Sequence, residues 1–138
     1  MKQYSFLDTL LLVNGVEVSG FDEGDDVITV ERLSDSAQHK IGTDGEMSVA
    51  ISADRSGIFT FRLMQTSDSN AYLSTLVNLQ DNGVFTPVFA QLKDIRGGDI
   101  GSGTQGYIQK QSGLSRGANV VAQGWIIVVE RLDIIHGT

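Results

Sequence analysis

Hydrophobic and polar positions alternate with a period of two over most of the chain, which predicts strands rather than helices. In "LLLVNGVEVSGF" the pair Asn14-Gly15 sits between β-forming residues. It predicts a hairpin, because a type I′ turn needs positive φ at both central positions. The acidic turn "DEGDD" follows, and "VITVERL" is the next strand. "SDSAQHKIGTDG", residues 34–45, then reads as a polar loop too long for a tight turn.

Residues 46–64 predict a second hairpin. Met47, Val49, Ile51 and Ala53 fall on one face of its first strand, with Glu46, Ser48, Ala50 and Ser52 on the other; after "DRSG", Phe59, Phe61 and Leu63 alternate with Ile58, Thr60, Arg62 and Met64. One face is expected to be core, and the other is small and polar. The period then changes. "TSDSN" supplies N-cap candidates, and Tyr72, Leu73, Leu76, Val77 and Leu79 share one side of a single helix that "DNG" closes, Gly83 suiting a left-handed cap. "VFTPVFAQL" is a further strand whose Pro87 suggests an edge or a bulge. A Gly-rich segment, residues 96–117, reads as a flexible loop, and "ANVVAQGWIIVVERLDII" closes the chain as its most apolar strand. The expected fold is therefore mainly β, a sandwich or barrel of antiparallel strands with one flanking α-helix, built as a single domain over residues 1–138.

Composition narrows function by exclusion. With 138 residues, 41% of them hydrophobic, the chain can bury a core of its own. It contains no cysteine, which removes disulfides, thiolate metal sites and cysteine nucleophiles. No apolar run reaches the length of a membrane span, and the first fifteen residues lack the small-residue cleavage site of a signal peptide, so the expectation is a cytosolic chain. A net charge of -7 argues against gripping nucleic acid by its phosphates. That charge is unevenly spread. Residues 1–45 hold nine acidic and three basic side chains, whereas residues 91–116 hold Lys93, Arg96, Lys110 and Arg116 against Asp94 and Asp99. Such asymmetry suits copies of one protein meeting head to tail.

Candidate chemistry is sparse. "GSGTQG", with Gly101, Gly103 and Gly106, satisfies the dinucleotide pattern G-x-G-x-x-G, but no βαβ unit surrounds it and a flexible loop is the expected setting. Asp22, Glu23, Asp25 and Asp26 lack the twelve-residue spacing of a calcium loop. His39 and His136 lie in a polar loop and near the C-terminus, away from any G-x-S-x-G serine elbow. No catalytic, cofactor-binding or metal-ligating residue is assigned, and no cofactor. Trp125 is expected as an anchor of the core or, second to that, of an interface. Arg62 is the unusual residue, a charge on an otherwise apolar strand.

The order "TDGE…ADRSGIFTFRLMQTSDSNAYLSTL", preceded by the "LLLVNGVEVSGF" hairpin and "DEGDD" and followed by a Gly-rich segment and "WIIVVERLDIIHG", resembles the tail tube proteins of contractile-tailed phages. The resemblance runs from about residue 5 to residue 137 and is most specific over "GIFTFRLMQTSDSNAYL". It implies a non-enzymatic virion protein that assembles from the host cytoplasm into stacked hexameric rings. These form an inner tube through which the genome passes without specific DNA binding. The partners it implies are further copies of the chain and the tail sheath, tape-measure and baseplate proteins, with no membrane. On that reading Glu46, Ser48, Ala50, Ser52, Thr60 and Arg62 line the channel, with Glu46 or another acid of a neighbour pairing Arg62. Asp22, Glu23, Asp25, Asp26, His39, Lys40, Lys93 and Arg96 serve ring stacking, with loop 34–45 as the principal contact. The competing readings are a β-barrel module that binds a small ligand or carbohydrate through the glycine loop and, more distantly, a hydrolase with an unrecognised carboxylate pair.

Overall fold

The computed structural model describes residues 3–83 and 86–137. Nine strands and one α-helix follow a short 3-10 turn at Phe6–Asp8: β1 (Thr9–Val13), β2 (Val16–Val18), β3 (Ile28–Arg32), β4 (Ala37–Ile41), β5 (Met47–Ile51), β6 (Gly57–Met64), α1 (Ser69–Asp81), β7 (Val88–Asp94), β8 (Ile100–Lys110) and β9 (Ala122–Ile135). The fold is mainly antiparallel β with a single helix, as the alternation predicts. Seven strands form one sheet in the order β2-β1-β7-β8-β9-β6-β3, and β4 and β5 form a separate two-stranded sheet. Among the described residues the large sheet does not close into a barrel, its outer strands being β2 and β3. It curls instead, bringing β3 over β8, so that a Cβ on Gly101 would lie 3.3 Å from Val30 Cγ1.

Several local signals act as expected. Asn14 and Gly15 take φ of 52° and 81°, joining β1 to β2 through the turn that dipeptide favours. Strand β6 alternates without a break: Gly57, Phe59, Phe61 and Leu63 are buried, and Ile58, Thr60, Arg62 and Met64 half-buried. Helix α1 buries Leu73 and Val77 against the sheet, with Tyr72 and Leu76 packed alongside, while Leu79 is exposed. Ser67 Oγ accepts from the Ser69 amide where the helix starts, and Gly83 takes φ of 85° where it ends. Trp125 on β9 is in the core, and its indole N–H donates to Asn70 Oδ1 at 2.9 Å. That bond satisfies the one polar atom of a large apolar side chain and ties α1 to β9.

Three expectations change. Residues 46–64 are not a hairpin: β5 pairs with β4, while β6 is held between β3 and β9. Both ladder positions of β6 are thus taken by the large sheet, leaving none for β5. Second, residues 34–45 are not a loop throughout, because Ala37–Ile41 is β4, the partner β5 requires. Third, the Gly-rich stretch 96–117 contains β8, an eleven-residue strand between β7 and β9. Glycine serves there as core surface. A Cβ on Gly103 would stand 2.8 Å from Phe59 Cε1 and 2.7 Å from Val129 Cγ1, so the absent side chain is the space those two occupy. Pro87 precedes β7, which is an inner strand of the sheet rather than an edge, and the β7–β8 register shifts between Val88 and Ala90. The extra residue at this irregularity is on β8, where Gln105 takes φ of 55°, so Pro87 marks neither an edge nor a bulge of its own strand.

Candidate assembly surfaces

The β4–β5 hairpin is an arm inserted between β3 and β6. Its register pairs Ile41 with Met47, His39 with Val49 and Ala37 with Ile51 on one face, and Lys40 with Ser48 and Gln38 with Ala50 on the other. Every residue of both strands is exposed. Met47, Val49 and Ile51 keep 58%, 57% and 78% of their surface in contact with water. Two-residue alternation therefore forms an apolar face here with no core beneath it. A two-stranded hairpin gains little stability alone, and exposed apolar surface of this kind marks an interaction site.

Six residues assigned to a channel wall fall on two elements. Glu46, Ser48, Ala50 and Ser52 belong to the arm or its ends, and Thr60 and Arg62 to β6. Arg62 is half-buried, and among the described residues its guanidinium makes no ion pair. Its backbone N–H donates to Val27 O and its carbonyl accepts from Asp22 N. Its guanidinium reaches over the acidic turn, with Nη2 2.8 Å from where a Cβ on Gly24 would lie. Gly24 has φ of 134° and leaves that space open.

The acidic turn has a second role in shape. Asp22, Glu23 and Asp25 join Asp94 and Asp99 around a cavity of about 590 Å³ whose apolar wall includes Val30, Ile100 and Ile134. It lies where β3 curls over the start of β8. Asp26 is outside this lining. Lys93 and Arg96 flank Asp94 at the same end of β7, so the basic stretch 91–116 is divided: Lys110 and Arg116 belong to the far end of β8. Arg96 Nε lies 2.9 Å from Asp8 Oδ2, pairing an exposed guanidinium with a half-buried carboxylate. Among the described residues Asp22, Glu23 and Asp25 make no ion pair. Asp54, in the connection from β5 to β6, has its carboxyl held below the usual value by the Ser56 hydroxyl, then by the Ser56 amide and Ser34.

The three glycines of "GSGTQG" lie inside β8 with strands on both sides, so no helix N-terminus faces them to receive a phosphate. Among the described residues no three His, Asp or Glu side chains are grouped to hold a metal ion.

The family model described as bacteriophage PhiTE tail tube protein matches residues 1–137. The chain belongs to this tail tube family. No curated protein matches its sequence. Among solved structures, the tail tube chain is similar to the anti-feeding prophage cap (the tube terminating cap) with a TM-score of 0.66 and 9% identity, over 99% of this chain and 95% of that one. It is also similar to a chain of the PVC sheath–tube complex of an extracellular contractile injection system in its extended state. That match has a TM-score of 0.62 and 11% identity, over 93% and 88% of the two chains. At such identities these two establish a shared fold. The family match makes the chain a structural component of the phage tail. What sequence reading misplaced in this tail tube protein is the arm's apolar face, Ile41, Met47, Val49 and Ile51. The cavity, formed by residues far apart in sequence, left no local signal at all.

Proposed function

We propose that this tail tube protein assembles into hexameric rings that stack head to tail into the inner tube of a contractile tail, the conduit for genome delivery, and that it performs no catalysis. The observation that carries the reading is the arm: four large apolar side chains on one face of an otherwise unsupported hairpin are stable neighbours of water only until another subunit covers them. Ring-to-ring contact is the natural use of an element that projects from the body of the fold. His39 and Lys40 travel with it. Asp22, Glu23, Asp25, Asp26 and Arg96 lie outside the arm on connections, and Lys93 near the end of β7, where a stacked ring would meet them.

The channel wall follows from charge and size. Thr60 and Arg62 on the outward face of β6, with Glu46, Ser48, Ala50 and Ser52 of the arm, offer small or polar groups to a wet lumen. A net charge of -7 per subunit repels the phosphates of passing DNA and gives it few places to stick. The free edges of the large sheet, β2 and β3, offer unpaired backbone groups that a neighbour's strand can take up, which closes a ring without an exposed edge. Sheath subunits on the tube's outer surface are the further partners, by analogy with the sheath–tube complex that shares its fold.

Sedimentation across a concentration series, with negative-stain imaging of the same samples, tests the reading. Rings or tubes of uniform diameter are the expected result. A chain that remains monomeric at high concentration and under crowding, with a ligand retained in native mass spectra, sinks it in favour of a binding module.

A further inference from the structure

Between β8 and β9 the chain runs through "QSGLSRGANVV", residues 111–121, and this loop is tied down at its two ends only. Gln111 Nε2 donates to Ser74 Oγ, and Val121 N donates to Gln65 Oε1. Between those anchors the hydrogen bonds are local, from the Ser112 hydroxyl to Gly113 O and from Arg116 Nη1 to Ser115 O. Leu114, at the loop's middle, is 84% exposed, and Val120 is exposed as well. From residue 100 to residue 129 there is no acidic side chain, and the two charges present, Lys110 and Arg116, flank Leu114. The loop is an apolar knob between two cations.

The cavity beside the acidic turn has the opposite character: an apolar wall including Val30, Ile100 and Ile134 under a rim of Asp22, Glu23 and Asp25. Knob and cavity cannot meet within one molecule. Ile100 begins β8 and Lys110 ends it, so roughly 30 Å of extended strand separates the cavity's Ile100 wall from the loop's root. The four residues from Lys110 to Leu114 span at most about 14 Å.

We propose that the 111–121 loop of one copy of this chain docks into the cavity of another, with Leu114 against the apolar wall and Lys110 and Arg116 facing the acidic rim. The inference rests on the tube reading and deepens it by naming a knob and a socket. Because the two lie on different patches, the contact is heterologous and propagates head to tail rather than closing a two-fold dimer. The charges steer the approach, and the leucine supplies the burial.

The absence of native cysteine allows a direct test. Two singly substituted chains, Leu114→Cys and Ile134→Cys, are mixed, assembled and oxidised, and the products are identified by mass. The mixed disulfide is expected as the dominant cross-link. In parallel, Leu114→Glu is expected to raise the concentration needed for assembly roughly ten- to a hundredfold, the loss of one buried leucine. Arg116→Glu is expected to weaken assembly at low salt and to be rescued by Glu23→Lys on the same chain. Wild-type and Leu114→Glu chains that form tubes at the same concentration, or mixed cysteine chains that give no Leu114–Ile134 product in formed tubes, overturn the socket and leave the tube reading standing. A wild-type chain that does not assemble, together with mixed cysteine chains that give no cross-link, overturns both.

Discussion

Strands β5 and β6 are neighbours in sequence and carry the same alternation, yet they end in opposite surroundings. Phe59, Phe61 and Leu63 of β6 are wholly buried, whereas Met47, Val49 and Ile51 of β5 are largely exposed. Alternation with a period of two states that one face of a strand is to be covered; it does not state by what. For β6 the cover is the chain's own helix and curled sheet. For β5, on the proposal above, it is a neighbouring subunit. A hydrophobic pattern can thus be consistent in sequence and divided between two levels of structure, with folding satisfying one half and assembly the other.

The comparison breaks most plainly at β6. Phe59→Ala is expected to cost about 3–5 kcal/mol of monomer stability, read from denaturant unfolding, since it removes a buried ring and leaves a cavity beside Gly103. A loss under 1 kcal/mol would mean that β6 is not the covered strand. Next in size is Gly103→Val, which pushes new atoms toward Phe59 and Val129 and should cost about 1–3 kcal/mol through overpacking. On the arm the sign of the experiment reverses. Val49→Ser with Ile51→Ser should shift unfolding of the isolated chain by no more than about 0.5 kcal/mol per site, while abolishing or strongly delaying tube formation. Marked destabilisation of the monomer by that pair would show that the arm packs on its own subunit.

The smallest effect is expected at the junction of the two strands. The folded-state pKa of Asp54 is depressed, so its stabilising contribution is present above the ordinary value of 3.8 and is lost as pH falls through the lower folded value. Asp54→Asn should therefore be slightly less stable than the parent near neutral pH, and the difference should vanish in strong acid. Equal stability of the two at pH 6 and at pH 2 would remove the role given to the Ser56 contacts.

Much of the fold was legible because local chemistry agreed with it. Asn14-Gly15 fixes a turn by backbone stereochemistry alone, the Leu73/Val77 spacing fixes a helix face, and Trp125 lies in the core with its N–H satisfied. What escaped reading had no local signature. Strand β8 lacks an alternating apolar set because Gly101, Gly103 and Gly106 are its core face, the bulk being supplied from Val30, Phe59 and Val129. Hydropathy assigned to β8 itself misses atoms that belong to its neighbours. Strand β4, "AQHKI", is too polar to announce itself and becomes a strand by pairing with β5. The candidate surfaces were legible in residue type and not in position: Arg62 is odd in any reading, but its seat over Gly24 depends on how residues 20–27 cross β6. Lys93 and Lys110 sit close in sequence and a strand's length apart in space.

Arg32, the last residue of β3, faces Gly57, the first of β6, across the ladder. To the large sheet, then, the 24 residues between them are a reversal of the chain held at its root, where Leu33 N donates to Ser56 O and Leu132 N of β9 to Arg55 O. The arm can lengthen, shorten or change its sequence while the strand register on either side stays where it is, since added connection length costs little entropy. Inheritance can treat it as a replaceable part: new fittings between repeating units are open to trial at this one place, at almost no hazard to the body that carries them.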